Sequence, residues 1–348
     1  MIFENVPLSK YILNDQLSPK PAMLAIQIKQ PGSADELFLA PFPTPQPEAH
    51  EIRVRVHATA LNRADIMQRE GKYPPPEGAS LIMGLEIAGE VEAIGSKVTR
   101  WEIGDRVFGL LPGGGYAEFA VMHEDMAMPV PDEWDFTEAA AVPEVFLTAF
   151  QALRWVGDLK EGETVLLHAG ASGVGTAAIQ LARLMGAEVI VTASSGKHEL
   201  CLSLGAKHAI DYRKGPFLEE LKELTHGQGV NVIVDPIGGD YFDQNIQALQ
   251  RDGRLVMLAV MAGGKVTANI GPIVFKRLQI LGTTLRSRSR EYQIKLTKDF
   301  MDFAYEALVH KTIRPIVDEV FSWHDVAKAH RYMEANLSAG KVVLQIKE

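Results

Sequence analysis

A single cysteine, Cys201, stands among 348 residues. No internal disulfide and no four-cysteine zinc cluster can form, and a reducing cytoplasm suits the composition better than secretion. Nothing approaches the ~20 consecutive apolar residues that cross a bilayer, so no membrane partner is expected. Positive charge is also short: 35 Lys and Arg against 44 Asp and Glu leave a net charge of −9. That balance argues against nucleic acid as a partner, since its binding normally needs a basic stripe. The ten histidines are scattered, with no H-E-x-x-H motif and no close pair. Repeats are missing, and Pro41 to Pro47 forms a proline-dense connector. Residues 1–22 mix Lys10 and Lys20 with Glu4 and Asp15 and have no apolar signal core. They are expected to be an N-terminal extension, with Met23 an alternative start.

The pattern that is present changes along the chain. From Ala22 to Met122 it is mostly short β runs. Glu51-Ile52-Arg53-Val54-Arg55-Val56 alternates with period two, and Glu86 to Gly95 and Asp105 to Leu111 resemble it. Gly113-Gly114-Gly115 is expected to mark a turn between the last two, and a helix from Arg63 to Arg69 is expected behind Asn62 as N-cap. From Glu144 onward strands and helices alternate. Strands are expected at Thr164–His168, Glu188–Ala193, His208–Asp211, Asn231–Asp235, Arg254–Val260 and Gln279–Thr284. Val174, Ala177, Ala178, Leu181 and Met185 make one apolar helix face that Gly186 ends. Six strands with helical crossovers predict an α/β Rossmann fold, a doubly wound parallel sheet, preceded by a β-rich domain. The last 60 or so residues leave that repeat and are expected to rejoin the first domain. The division is therefore 23–143 with 285–348, and 144–284 between them.

The turn Ala169-Gly170-Ala171-Ser172-Gly173-Val174-Gly175 lies between a strand and an amphipathic helix. In that setting glycines let the backbone approach a pyrophosphate, and the helix N-terminus meets its charge. Ser172 replaces the middle glycine of G-x-G-x-x-G and can add a hydroxyl hydrogen bond. An NAD enzyme normally offers an acid at the end of the second strand, ~20 residues on. Here the segment reads Thr192-Ala193-Ser194-Ser195-Gly196-Lys197, where small hydroxyls and a lysine would receive a 2′-phosphate. NADPH is the expected cofactor.

Domains of this layout often carry catalytic zinc. Cys201, within a helical run, reads as a small buried hydrophobe rather than a ligand or nucleophile. Without a Lewis acid to hold an alkoxide, alcohol oxidation is disfavoured. Hydride transfer to an electron-poor acceptor remains, and it needs chiefly positioning.

The stretches Ala60-Leu61-Asn62-Arg63-Ala64-Asp65, Gly84-Leu85-Glu86-Ile87-Ala88-Gly89 and Ala169 to Gly175 resemble the medium-chain dehydrogenase/reductase superfamily, most closely its quinone oxidoreductase branch. The resemblance runs from about Met23 to Leu344. Zinc enzymes of the family carry Gly-His-Glu where this chain has Gly84-Leu85-Glu86, so it implies a zinc-free member with no metal residues. It also implies a chaperonin-10-like β domain and a homodimer or homotetramer. By position it implies Gly170, Ser172, Gly173, Val174 and Gly175 on the pyrophosphate and nicotinamide path. Ser194, Lys197 and Tyr212 would hold the 2′-phosphate. Thr148, Leu258, Val260, Leu285, Ser287 and Asn336, the last opening a stretch that ends at Gly340-Lys341, would be further cofactor contacts. Asn62, Tyr73 and Ser172 would face the reacting atoms. Asn62 is alternatively a helix cap, Tyr73 a loop anchor and Tyr212 a strand-end aromatic.

The function implied is NADPH-dependent reduction of a quinone or similar conjugated carbonyl, with Tyr73 orienting the acceptor. The alternative is reduction of an alkenal or enoyl double bond, with Tyr73 or water supplying the proton. A cofactor-sensing or RNA-binding role on the same scaffold is the non-enzymatic reading. Replacing Lys197 by glutamate should raise the Michaelis constant for NADPH strongly; an unchanged constant refutes the assignment of Lys197.

Overall fold

Residues 22–347 are described in the structure, a computed structural model. The extension expected over 1–22 lies outside the described residues except for Ala22, which already belongs to β1 (Ala22–Ile28). That strand pairs with β2 (Leu37–Pro43) in an antiparallel ribbon, Leu24 opposite Pro41 and Ala22 opposite Pro43. The expected proline connector is thus partly strand, because a two-stranded ribbon has outer edges where proline costs no ladder bond.

Alternation makes the next strand. In β3 (Glu51–Ala60), Ile52, Val54 and Val56 are buried while Arg53, Arg55 and His57 are half-buried. Helix α1 (Arg63–Arg69) follows, then β4 (Glu86–Ile94), β5 (Arg106–Leu110), β6 (Phe119–His123) and β7 (Ala127–Pro129). Gly113 to Gly115 come after β5 rather than between it and β4, and fold against Ser80 to Gly84. Two short helices, α2 (Phe136–Ala140) and α3 (Pro143–Phe150), lead to the second sheet.

That sheet contains β8 (Thr164–Leu167), then α4 (Gly173–Leu184), β9 (Glu188–Ala193), α5 (His198–Ser203), β10 (His208–Asp211), α6 (Phe217–Leu224) and β11 (Val230–Asp235). It continues with α7 (Tyr241–Ala248), β12 (Leu249–Met257), α8 (Gly271–Phe275) and β13 (Gln279–Gly282). All its pairings are parallel, in the order β10-β9-β8-β11-β12-β13. The order reverses beside β8, the switch point at which such sheets open a crevice. β8 stops one residue before the expected His168, β11 and β12 begin at Val230 and Leu249 rather than Asn231 and Arg254, and two further strands end early. β12 is in register with β11 only up to Met257, paired with Asp235, and beyond it the chain turns at Val260 to Gly263. β13 likewise stops at Gly282, the last partner of β12.

The chain then returns to the first sheet. Helix α9 (Arg290–Val309) buries Leu296, Phe300, Ala304 and Leu308, one stripe at four-residue spacing. Phe300 packs on Phe146 and Phe150 of α3, with ring centroids 6.2 and 5.8 Å away. Strand β14 (Val317–Ser322), helix α10 (Val326–Glu334) and strand β15 (Lys341–Gln345) complete the fold. β15 runs antiparallel to β3, giving the sheet order β14-β15-β3-β4-β5-β7 with β6 on β3. The fully buried guanidinium of Arg69 joins α1 to α10 by bonding Gly32 O (2.9 Å), His330 Nδ1 (3.2 Å) and Glu334. Cys201 is buried in α5, and burial pushes its thiol up to about 11. Among the described residues no helix is long and apolar enough to cross a membrane.

Candidate active site

The β8–α4 turn is shaped by what a side chain would strike. A Cβ on Gly170 would lie 2.6 Å from Val191, and one on Gly175 would lie 2.3 Å from Ala169 O. Both glycines therefore let helix and sheet approach closely. Ala169 takes φ +53° to start the turn. Ser172 is the N-cap of α4, its Oγ accepting from Gly175 N (3.1 Å). The first-turn N–H groups of Gly173 and Val174 have no intrahelical partner and are available to an anion.

The turn borders a cleft of about 490 Å³ at the switch point. Asn62, Thr148, Ser172, Gly173, Val174, Gly175, Ser194, Lys197, Tyr212, Leu258 and Asn336 all line it. Five expected site residues do not. Gly170 backs onto Val191. Leu285 is 5% exposed in the core, and the chain bend at its carbonyl is held by Gln293 Nε2 (3.1 Å). Val260, on the loop after β12, is exposed, and the Ser287 hydroxyl pairs with Thr284 Oγ1 (2.7 Å). Tyr73 is half-buried beyond the cleft lining, with the Arg286 guanidinium 5.4 Å from its ring centroid.

At the outer end, no carboxylate lines the cleft beside Ala193 and Ser194. Lys197 Nζ donates to the carbonyls of Ser338 (2.6 Å) and Asn336 (3.1 Å), and burial holds its pKa below the usual lysine value. Two of its three protons are thus committed to the loop before β15. Arg213, which the sequence reading missed, lines the same end. Asn336, at φ +55°, accepts from Arg63.

The inner end is built around a buried ion pair. Lys341 Nζ donates to Glu86 Oε1 (2.7 Å), Asn62 Oδ1 (2.7 Å) and Leu61 O (2.8 Å), while Asn62 Nδ2 donates to the same Glu86 oxygen (2.7 Å). Asn62 holds the N-cap position, but its side chain is drawn to these charges; the cap bond comes instead from Asn62 N to Asp65 Oδ2 (2.8 Å). Glu86 Oε2 accepts from Glu144 N (2.8 Å). Burial raises Asp65 to about 6, and burial followed by repulsion from Glu86 raises Glu144 to about 8. Lys341 appeared in the sequence only as the end of a cofactor stretch, and Glu144 only as a domain boundary. Neither has a local motif: an acid in a first helical turn ordinarily reads as a dipole partner.

His168, also lining the cleft, is held between Thr192 Oγ1 (3.0 Å) and Asn245 Oδ1 (2.7 Å). Burial lowers its pKa. At position 85, where zinc enzymes of this type carry histidine, Leu85 is 1% exposed in the core. The neighbouring carboxylate already holds an ammonium, whose charge would repel a metal. This donor set does not fit zinc. Among the described residues no group of three His, Cys, Asp or Glu could hold a metal ion.

Two family models match the chain: "Alcohol dehydrogenase GroES-like domain" over residues 48–132 and "Zinc-binding dehydrogenase" over 173–301. A quinone oxidoreductase of Pseudomonas aeruginosa is 35% identical over 322 residues, covering 92% of this chain and 98% of the relative. A phenolphthiocerol/phthiocerol polyketide synthase of Mycobacterium tuberculosis is 32% identical over 93% of this chain. The chain spans only 15% of that synthase's length. Among solved structures, the quinone oxidoreductase from Coxiella burnetii matches with TM-score 0.78 and 30% identity, covering 94% of this chain and all of that one. The CurK enoyl reductase matches with TM-score 0.83 and 29% identity, over 93% and 99% of the two chains.

Replacing Lys341 by methionine leaves Glu86 buried without its counter-ion. Urea unfolding should record a loss of about 3–5 kcal/mol.

Proposed function

The chain belongs to the medium-chain dehydrogenase/reductase superfamily, and we propose that it is a zinc-independent, NADPH-dependent reductase of quinones or similar conjugated carbonyl compounds. The observation that carries this reading is the cleft at the switch point, with free N–H groups at its centre and basic side chains without a lining carboxylate at its outer end. Gly173 and Val174 meet the pyrophosphate, and Ser194, Lys197, Tyr212 and Arg213 receive the 2′-phosphate. Thr148, Leu258 and Asn336 complete the cofactor wall. A bound nicotinamide supplies the hydride. Residues 144–284 carry the cofactor, while 23–143 and 285–348 supply the acceptor side. Tyr73, fixed under Arg286, orients the acceptor ring. The misfit of the donor set to zinc supports chemistry by positioning alone.

The quinone oxidoreductase relatives support quinones as acceptors, and the likeness to an enoyl reductase supports the second reading, reduction of a conjugated carbon–carbon double bond. The lone buried thiol suits a cytoplasmic protein. Ile270, Val274 and Phe275 are 65, 71 and 80% exposed beside β13, the last strand of its sheet. Such an apolar face next to an open strand edge suits a second copy of the chain.

At equal cofactor concentration, ortho-quinones should turn over faster than 2-alkenals; the reverse order moves the assignment to a double-bond reductase. NADPH should exceed NADH by at least about 10-fold in kcat/KM, the worth of one or two charge-assisted hydrogen bonds. Equal use of the two overturns the NADPH assignment. Sedimentation should give a dimer or tetramer that the Val274→Asp, Phe275→Ser double variant dissociates.

A further inference from the structure

Glu144, second residue of α3, lines the inner end of the cleft. Its backbone N–H is bound to Glu86, but its side chain is not engaged: Oε2 is sealed from solvent and has no hydrogen-bond partner. Groups from five segments act on this carboxyl. Glu86 of β4 and Asp65 of α1 repel its ionised form, and Lys341 of β15 and Arg286 after β13 attract it. Tyr73, in the loop after α1, lies within charge reach. Burial and the two carboxylates prevail, so Glu144 carries a proton at neutral pH.

Three other titratable side chains that line the cleft spend protons on bonds within the protein. All three Lys341 donors are used within the protein. His168 is held at both nitrogens, and Lys197 is tied to two carbonyls. Tyr73 is proposed above to orient the acceptor ring, but burial pushes its phenol up from an already high value, which leaves Glu144 the stronger acid.

We propose that Glu144 is the catalytic proton donor to the acceptor. This rests on the reading above, that the cleft holds a nicotinamide and reduces a conjugated carbonyl. As the hydride adds to the acceptor, a π bond breaks and its electron pair moves onto the carbonyl oxygen. The Glu144 O–H bond breaks as that oxygen gains the proton. A quinone becomes a hydroquinone; an alkenal becomes an enol that tautomerises in water. The cofactor is oxidised by two electrons, and Glu144, left as a carboxylate, regains a proton from water, since the residue is only half-buried.

The test compares the full-length protein with Glu144→Gln, close in shape but unable to transfer a proton, and with Glu144→Asp. Without cofactor, infrared spectroscopy should find a protonated-carboxyl band at neutral pH. It should fade with a midpoint near the pKa of about 8 and be missing in Glu144→Gln. In turnover on an ortho-quinone and a 2-alkenal, Glu144→Gln should lower kcat about 100-fold and abolish the alkaline fall of the pH profile. Its NADPH dissociation constant and melting temperature should stay at wild-type values, and Glu144→Asp should recover part of the rate. A wild-type protein without the band, or wild-type turnover that Glu144→Gln leaves unchanged, overturns this assignment alone. A wild-type protein that reduces neither acceptor overturns the proposed function, and the assignment with it.

Discussion

Three hydrogen bonds leave the ammonium of Lys341, to Glu86, Asn62 and the carbonyl of Leu61, and all end on groups that are themselves buried. Desolvating such a pair costs several kcal/mol per ion, recovered only when the geometry satisfies every donor. Here it does, and the consequence is topological. The last strand must lie on β3 with Lys341 facing β4, which brings Gly340 N to Ala171 O at 2.9 Å. The β8–α4 turn is thereby braced by the last strand, with Gly173 resting on the aliphatic stem of Lys341. Lys197 grips the same loop through Asn336 and Ser338. The cleft is a seam stitched at both ends by lysines.

That construction separates what could be read from the chain from what could not. The segment Thr164 to Gly186 was legible because each of its signals is local: a short apolar run, a glycine turn, an apolar helical stripe, a terminating glycine at φ +77°. The six parallel strands followed from repetition of that unit. Return of the C-terminal strand to the first sheet was legible only as a break in the repeat. Positions carried over by resemblance behaved unevenly. Ser172 to Gly175 on the turn reached the cleft while Gly170 backs onto Val191, and of the loop positions Asn336 reached it while Val260 and Ser287 did not, since position in sequence constrains position in space least on loops.

Asn62 illustrates a competition the sequence could not rank. A cap bond to a backbone N–H and a bond to a buried charge both suit an asparagine, and the charge-assisted bond is roughly twice as strong. Asp65 closes the helix instead, and the position keeps its capping geometry without its capping side chain. Glu144 was invisible for a related reason. Its surroundings come from Asp65, Glu86, Arg286 and Lys341, which are far apart in the chain and meet only in the folded protein.

Those same groups set the charge of the inner cleft. Lys341 and Arg286 bring two positive charges into a region where solvent screens little. Glu86 and, above a pH of about 6, Asp65 bring two negative ones. The count is then balanced, and burial first, then repulsion by the carboxylates already present, raises Glu144 to about 8. A balanced, poorly solvated mouth suits an uncharged acceptor better than an anionic one, because a carboxylate substrate would face the same missing counter-charge. In the proposed reaction, negative charge developing on a neutral carbonyl meets instead the proton that Glu144 retains.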